Sequence, residues 1–315
     1  MTRGPSKAAR RVLEEGVICY VAVPTSSGPH LTPLVYAVDG GRMWVTTARS
    51  SVKARTWRSS PEVAGMVRVG DRVVVFRGLV RTYDAFDPLT WPSAILRWPR
   101  LASAATRFTL RNARFFFGYA VDAPHVPLAW APPARVFVSI EMTGGSVLDL
   151  AAGSVTGSWG SWSASRNKRA APPSTDEPAR GRALDLRVPA SIREAVGVEG
   201  EGALALQGSA ITVLPVGWER VAGGYRAQVP GAARGLVRAI LGRRAGRAVR
   251  AALTVDQAST WRAADMVGML LQGRAERFDE PRGSDEAIRL RPERIVWWEG
   301  WRSGTVARRE PGSRA

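Results

Sequence analysis

The sequence predicts a mainly β protein built from two tandem antiparallel barrels with short helices. Three observations predict it. Short β-branched and aromatic runs separated by tight turn signals fill residues 17–82. A similar series returns between 203 and 302. Between the two series, residues 151–182 are rich in Gly, Ser, Ala and Pro without apolar period and read as a linker. The expected organisation is a first barrel over 1–150, a linker over 151–182 and a diverged second barrel over 183–315. A chain of 315 residues has room for two such domains.

The first residues, MTRGPSKAARRVLEEGV, read as a short amphipathic helix and lack the apolar core of a secretory signal. VICYVAVP (17–24) is a strand, SSG (26–28) a turn, and HLTPLVYAV (30–38) a second strand. DGG (39–41) signals a hairpin into RMWVTT (42–47). SVKARTW opens a short exposed helix with Ser50 or Ser51 as its N-cap, ended by Pro61. VAGMVRV (63–69) and RVVVFRGLVRT (72–82) form a hairpin about Gly70-Asp71. Residues 88–117 differ: aromatics mix with Arg97, Arg100, Arg107, Arg111 and Arg114 at helical spacing, punctuated by Pro92 and Pro99. This helical insert reads as packing over the barrel mouth, or more sharply as a lid or membrane-surface element. RVFVSIEM (135–142) returns to strand.

The second half repeats the outline. AITVLPVGWE (210–219) matches HLTPLVYAV, with Pro215 answering Pro33. MVGMLLQGRAERFD (266–279) matches VVVFRGLVRTYD, with Gly273 answering Gly78 and Phe278-Asp279 answering Tyr83-Asp84. The Pro-to-Gly interval is longer in the second copy, and 231–249 reads as the insert responsible. ALALQG (203–208) and RAALTVD (250–256) are further strands, and IRLRPERIVWWEGWR (288–302) is a strand followed by a Trp cluster.

Composition narrows the function. The net charge of +18, almost all from arginine, attracts anions: nucleic acid, membrane surface or a phosphorylated small molecule. No recognised nucleic-acid motif is present, so nucleic acid ranks last. No long uncharged apolar run marks an integral membrane segment. The single Cys19 lies in a strand, and only two histidines, His30 and His125, are present, so a metal site is not expected. These features point to a reducing cytoplasm.

The informative stretch is WVTTARSSVKARTW (44–57). Free N–H groups, the positive end of a helix dipole, hydroxyls and the Lys53 cation converge there, as a phosphate requires. Arg49 adds a bidentate donor and Arg55 adds charge. An ordinary capped surface helix with solvated basic residues is the other reading. No acid–base dyad stands out; Tyr36, Tyr83 and His30 are candidate proton donors, more readily structural or solvent-facing.

The ordered set TSSGPHLTPLVYAVDGGRMWVTTARSSVKARTWRSSPEVAGMV followed by VVVFRGLVRTYD resembles the pyridoxamine 5′-phosphate oxidase-like split-barrel superfamily. The resemblance covers 11–85 well, 135–150 loosely and 200–305 as a diverged second copy. It implies six-stranded-type split barrels forming a pseudo-dimer within one chain or a homodimer. It also implies FMN or deazaflavin F420, with haem as a distant alternative, and hydride transfer to a small conjugated substrate. By that resemblance the ring lies along Leu31, Thr32, Pro33 and Leu34. The phosphate lies on Thr46, Thr47, Arg49, Ser50, Ser51 and Lys53, and the strand Phe76–Leu79 borders the ring. The expected counterpart in the second copy is VDQASTWRAADMVG (255–268), with Ser259, Thr260 and Arg262 but no lysine, so that site reads as degenerate.

Overall fold

The computed structural model describes residues 4–122, 124, 126, 134–160, 184–242, 248–257, 262–278 and 286–308. Helix α1 (Lys7–Glu15), capped by the Ser6 hydroxyl, leads into β1 (Ile18–Val23) and the hairpin of β2 (His30–Asp39) and β3 (Arg42–Ala48). Gly40 and Gly41 both take positive φ in that hairpin turn, a conformation in which a Cβ is costly. Helix α2 (Val52–Ser59) follows, then β4 (Glu62–Val69) and β5 (Arg72–Tyr83). The predicted helical insert is α3 (Trp91–Leu96), α4 (Trp98–Arg111) and α5 (Ala113–Val121); Pro92 and Pro99 sit in the first turns of α3 and α4, where a missing N–H costs nothing. Strands β6 (Arg135–Asp149) and β7 (Ser154–Gly160) complete the first half.

The second half runs α6 (Ala190–Val196), β8 (Glu199–Gln207), β9 (Ile211–Val221), β10 (Gly224–Val229), α7 (Arg234–Leu241), β11 (Val249–Gln257), β12 (Val267–Phe278), β13 (Glu286–Glu299) and β14 (Arg302–Ala307). The strand orders are β3-β2-β1-β4-β5-β6-β7 and β10-β9-β8-β11-β12-β13-β14. Pairing of β3 with β6, and of β10 with β13, closes each sheet into a six-stranded barrel carrying one extra strand. Closure removes the unpaired edges that an open sheet leaves. No helix among the described residues is long and apolar enough to cross a membrane.

The registers confirm the internal repeat residue by residue. Pro33 lies opposite Tyr20 of β1, and Pro215 opposite Ala203 of β8. The β5–β6 ladder slips between Arg77 and Gly78, and the β12–β13 ladder between Gln272 and Gly273. A Cβ on Gly78 would lie 2.6 Å from the Glu141 carbonyl, and on Gly273 2.0 Å from that of Arg291, so both bulges demand glycine.

Two readings of the sequence need correction. Residues 154–160 are not linker: they form β7, whose Trp159 ring packs over Gly145. Small residues on one side of an edge strand conceal its period; 161–182 lie outside the described residues. The second correction concerns the turn expected at 255–268. The strand GYRAQV, β10, carries too weak a pattern to be seen in sequence, and without it β11 stands in for the counterpart of β3. With β10 in place, 255–268 spans the β11–β12 connection, which answers Gly70-Asp71; Ser259 and Thr260 lie outside the described residues. The counterpart of α2 is α7, inside the segment read as an insert. The extra length falls instead between α7 and β11 and in the β11–β12 connection.

The two barrels share one apolar core. Leu31, Met66, Val73, Val75 and Leu148 of the first pack with Leu204, Leu214, Leu253 and Leu270 of the second. Buried hydrogen bonds cross the seam: Thr254 donates to the Leu31 carbonyl at 2.7 Å and the Gln272 amide to the Pro29 carbonyl at 2.8 Å. Pairing these polar groups removes the cost of burying them.

Candidate functional site

A cavity of about 580 Å³ opens where the end of β3 and the start of α2 face the second barrel. That is the size of an ordinary small-molecule site. One wall is β2, through Thr32, Pro33 and Leu34; Thr46 and Thr47 close one end with Ser51 and Lys53. The opposite wall belongs to the second barrel, through Met266, Trp297, Trp298 and Arg302, and Phe115 of α5 reaches in from the insert.

The polar end is built by local structure. Ser51 caps α2, its hydroxyl oxygen accepting from the Ala54 N–H at 3.1 Å and from the Thr47 hydroxyl at 3.0 Å. With its oxygen so engaged, the Ser51 proton remains to be donated. Arg135 of β6, which the sequence reading missed, donates to the Thr46 hydroxyl at 2.9 and 3.1 Å and to its carbonyl at 3.1 Å. No local pattern marks Arg135, because closure of β6 on β3 brings it there.

Lys53 is not on an exposed helix face: it is 2% exposed and donates to the Thr32 hydroxyl. Burial lowers its pKa to about 7, the nearby Cys19 thiol opposing this, and no carboxylate among the described residues acts on it. Burial pushes Cys19 up to about 12, so it is an inert thiol. His30 also lines the cavity; burial, then Lys53 and Arg294, hold its pKa at about 3, so its ring is neutral.

Of the residues marked by the sequence, Thr32, Pro33, Leu34, Thr46, Thr47, Ser51 and Lys53 come together around this cavity. Leu31, Arg49 and Ser50 do not line it. The Leu31 side chain points into the core between the barrels. Arg49 is engaged by Asp84 through Nε at 2.8 Å and through Nη2, and lies over the Phe86 ring. Ser50 and Arg55 face solvent. Phe76 is buried in the first barrel, Arg77 reaches Thr212 of the second, and Leu79 is largely exposed. The Tyr36 hydroxyl is taken by the Leu13 carbonyl at 2.7 Å, and Tyr83 stacks on Trp44. Neither tyrosine reaches the cavity.

Among the described residues the second copy holds no equivalent. Position by position, Thr47, Ser51 and Lys53 are answered by Val229, Ala233 and Gly235. Ala232 and Ala233 pack in the shared core, and Gly231 lies against Gly153 of the β6–β7 turn. Arg262 is tied to Asp122 at 2.5 Å. Gly235→Ala, which meets nothing within 4 Å, is expected to stabilise α7 by about 0.5–1 kcal/mol and leave ligand affinity unchanged. Thermal melts and a ligand titration on the variant check this.

A family model described as Pyridoxamine 5′-phosphate oxidase matches residues 5–97. No curated protein matches the chain in sequence. Among solved structures, a pyridoxamine 5′-phosphate oxidase-related, FMN-binding protein from Nostoc punctiforme is 17% identical, covering 48% of this chain and 88% of its own, with a TM-score of 0.33. An F420 reductase is 21% identical, covering 45% and 98%, with a TM-score of 0.30. The haem storage protein of Vibrio cholerae is 11% identical, covering 44% and 91%, with a TM-score of 0.31. The family match falls on the elements from α1 to α3, the first barrel as far as residue 97, and the second barrel repeats that barrel's strand order.

Proposed function

We propose that the inter-barrel cavity binds FMN or deazaflavin F420, and that the protein is a flavin- or deazaflavin-dependent oxidoreductase acting on a small conjugated substrate. The observation that carries this reading is Lys53, a buried ammonium with no acidic partner among the described residues, at the polar end of an otherwise apolar slot. A buried cation of this kind lacks compensation until an anion arrives. A phosphate monoester or diester fits the donors present: the Lys53 ammonium, the Ser51 hydroxyl proton and the amide end of α2. Thr32, Pro33 and Leu34 offer an edge for a flat ring, and Trp297 and Trp298 offer apolar surface opposite it. When bound, a flavin or deazaflavin supplies the hydride chemistry.

The chain's own residues bind, orient and exclude water. Arg135 fixes Thr46, Thr47 braces Ser51, and the two tryptophans cover the slot from the second barrel. The neutral His30 ring offers a hydrogen bond rather than an acidic proton. The lone buried thiol accords with a cytoplasmic setting. The described lining contains no carboxylate, and this favours a second reading, in which the protein binds its cofactor, or haem, without turnover.

The absorbance spectrum of the purified protein, followed by titration with FMN and with F420, tests the proposal. One cofactor per chain is expected, because among the described residues only the first copy keeps a polar turn. A bound ring that a nicotinamide or reduced-deazaflavin donor cannot reduce decides for the second reading. Failure of FMN, F420 and haem alike to bind refutes both.

A further inference from the structure

We propose that the α3–α4 hairpin is a docking surface for an anionic lipid bilayer. The hairpin is committed on one side only. Leu101, Ala104 and Phe108 of α4 pack down on Trp44, Tyr83 and Phe137 of the first barrel. The other side is open and apolar: Leu89 is 89% exposed, Leu96 81%, Ile95 75% and Trp98 67%, with Phe86 and Trp91 beside them. Soluble surfaces rarely gather so many large apolar side chains in so short a segment without a partner.

The charge pattern identifies the partner. From Pro88 to Val121 the chain holds five arginines and no Asp or Glu. Arg100 and Arg107 are exposed along α4, next to the apolar side chains. Aliphatic residues for an acyl layer, tryptophans for its interface and arginines for its phosphates fit a lipid surface carrying negative charge. A second copy of the chain fits worse, because pairing this face with itself sets Arg100 and Arg107 against their own copies, and Asp39, the acid beside Arg107, already accepts from the Ser103 hydroxyl. Single-stranded nucleic acid fits worse too, since exposed leucine and isoleucine give bases nothing to stack on. Docking of this kind combines modest apolar burial with screened charge, so it is reversible and salt-sensitive.

Flotation of the full-length protein with phosphatidylcholine vesicles, with and without phosphatidylglycerol, tests the proposal. Binding to the anionic vesicles and little to the neutral ones is expected. The double variant Ile95→Ser/Leu96→Ser keeps every charge and touches no core, yet is expected to bind at least about tenfold more weakly. Arg100→Gln and Arg107→Gln should each cost about fivefold. Leu89→Ser/Trp98→Ser is an independent variant should the first lose its circular dichroism signature. Undiminished vesicle binding by the serine variants overturns the proposal in favour of bare attraction to a chain of net charge +18. Absence of vesicle binding, with or without a dimer that the serine variants dissolve in sedimentation, overturns it as well.

Discussion

Lys53→Met is expected to weaken FMN or F420 binding by about 10- to 150-fold and at the same time to raise the melting temperature of the ligand-free protein. The affinity loss follows from one charge-assisted bond to phosphate, roughly 1.5–3 kcal/mol at about 1.4 kcal/mol per decade. The stability gain follows from burial. Methionine keeps the apolar stem, whereas lysine carries into the protein a charge that no carboxylate among the described residues offsets. In the unfolded chain Lys53 titrates near 10.5, and in the fold near 7. Between those values the unfolded chain holds a proton that the folded chain has released, so wild-type stability rises with pH across that window. The methionine variant lacks this rise, and near pH 7 it should melt several degrees higher. Above pH 7 the wild type must also take up a proton to present its ammonium, so its affinity should fall by up to about tenfold per pH unit while that of the variant stays flat. Cofactor fluorescence titrations and thermal melts at several pH values check both effects. Equal affinity in variant and wild type removes Lys53 from the phosphate site and takes away the main support for the proposed function.

This opposition between stability and binding was not legible in the sequence. Lys53 in the first turn of a short helix reads as solvated; its burial comes from β2, whose Thr32 hydroxyl it meets from far along the chain. The barrels themselves were legible, because β1, β2, β4 and β5 are rich in β-branched and aromatic residues and punctuated by Gly-Asp and Asp-Gly-Gly turns. So was the repeat, because Pro33 and Pro215, and the bulge glycines Gly78 and Gly273, answer fixed backbone needs. The second turn was mislocated because β10 is short and polar enough to escape notice. Arg135, Trp297 and Trp298 escaped assignment to the site for a different reason: only closure of the barrels and their mutual packing bring them to it.

Leu31→Ala is the second large expected effect, and it separates two roles for the same residue. By resemblance Leu31 belongs to the strand that carries the ring, but its side chain is fully buried between the barrels, among Ala22, Met66 and Val75 and the apolar residues of β8, β9 and β11. Truncating a leucine in such a core costs its transfer free energy and leaves a cavity that rigid strands on both sides fail to fill. The cost is about 2–5 kcal/mol, here at the upper end, because the neighbouring backbone is fixed by the Thr254 hydrogen bond to the Leu31 carbonyl. At roughly 2–4 °C per kcal/mol this lowers the melting temperature by about 8–20 °C. Cofactor affinity measured well below that temperature should change little, since Thr32, Pro33 and Leu34 keep the cavity wall. Leu31 packs in the shared core whereas Thr32, Pro33 and Leu34 after it line the cavity, so truncating Leu31 should act on stability and spare affinity. Calorimetry on the variant, paired with a flavin titration, reads both quantities. A loss of affinity at unchanged melting temperature would put Leu31 against the ring after all, with the shared core indifferent to its loss.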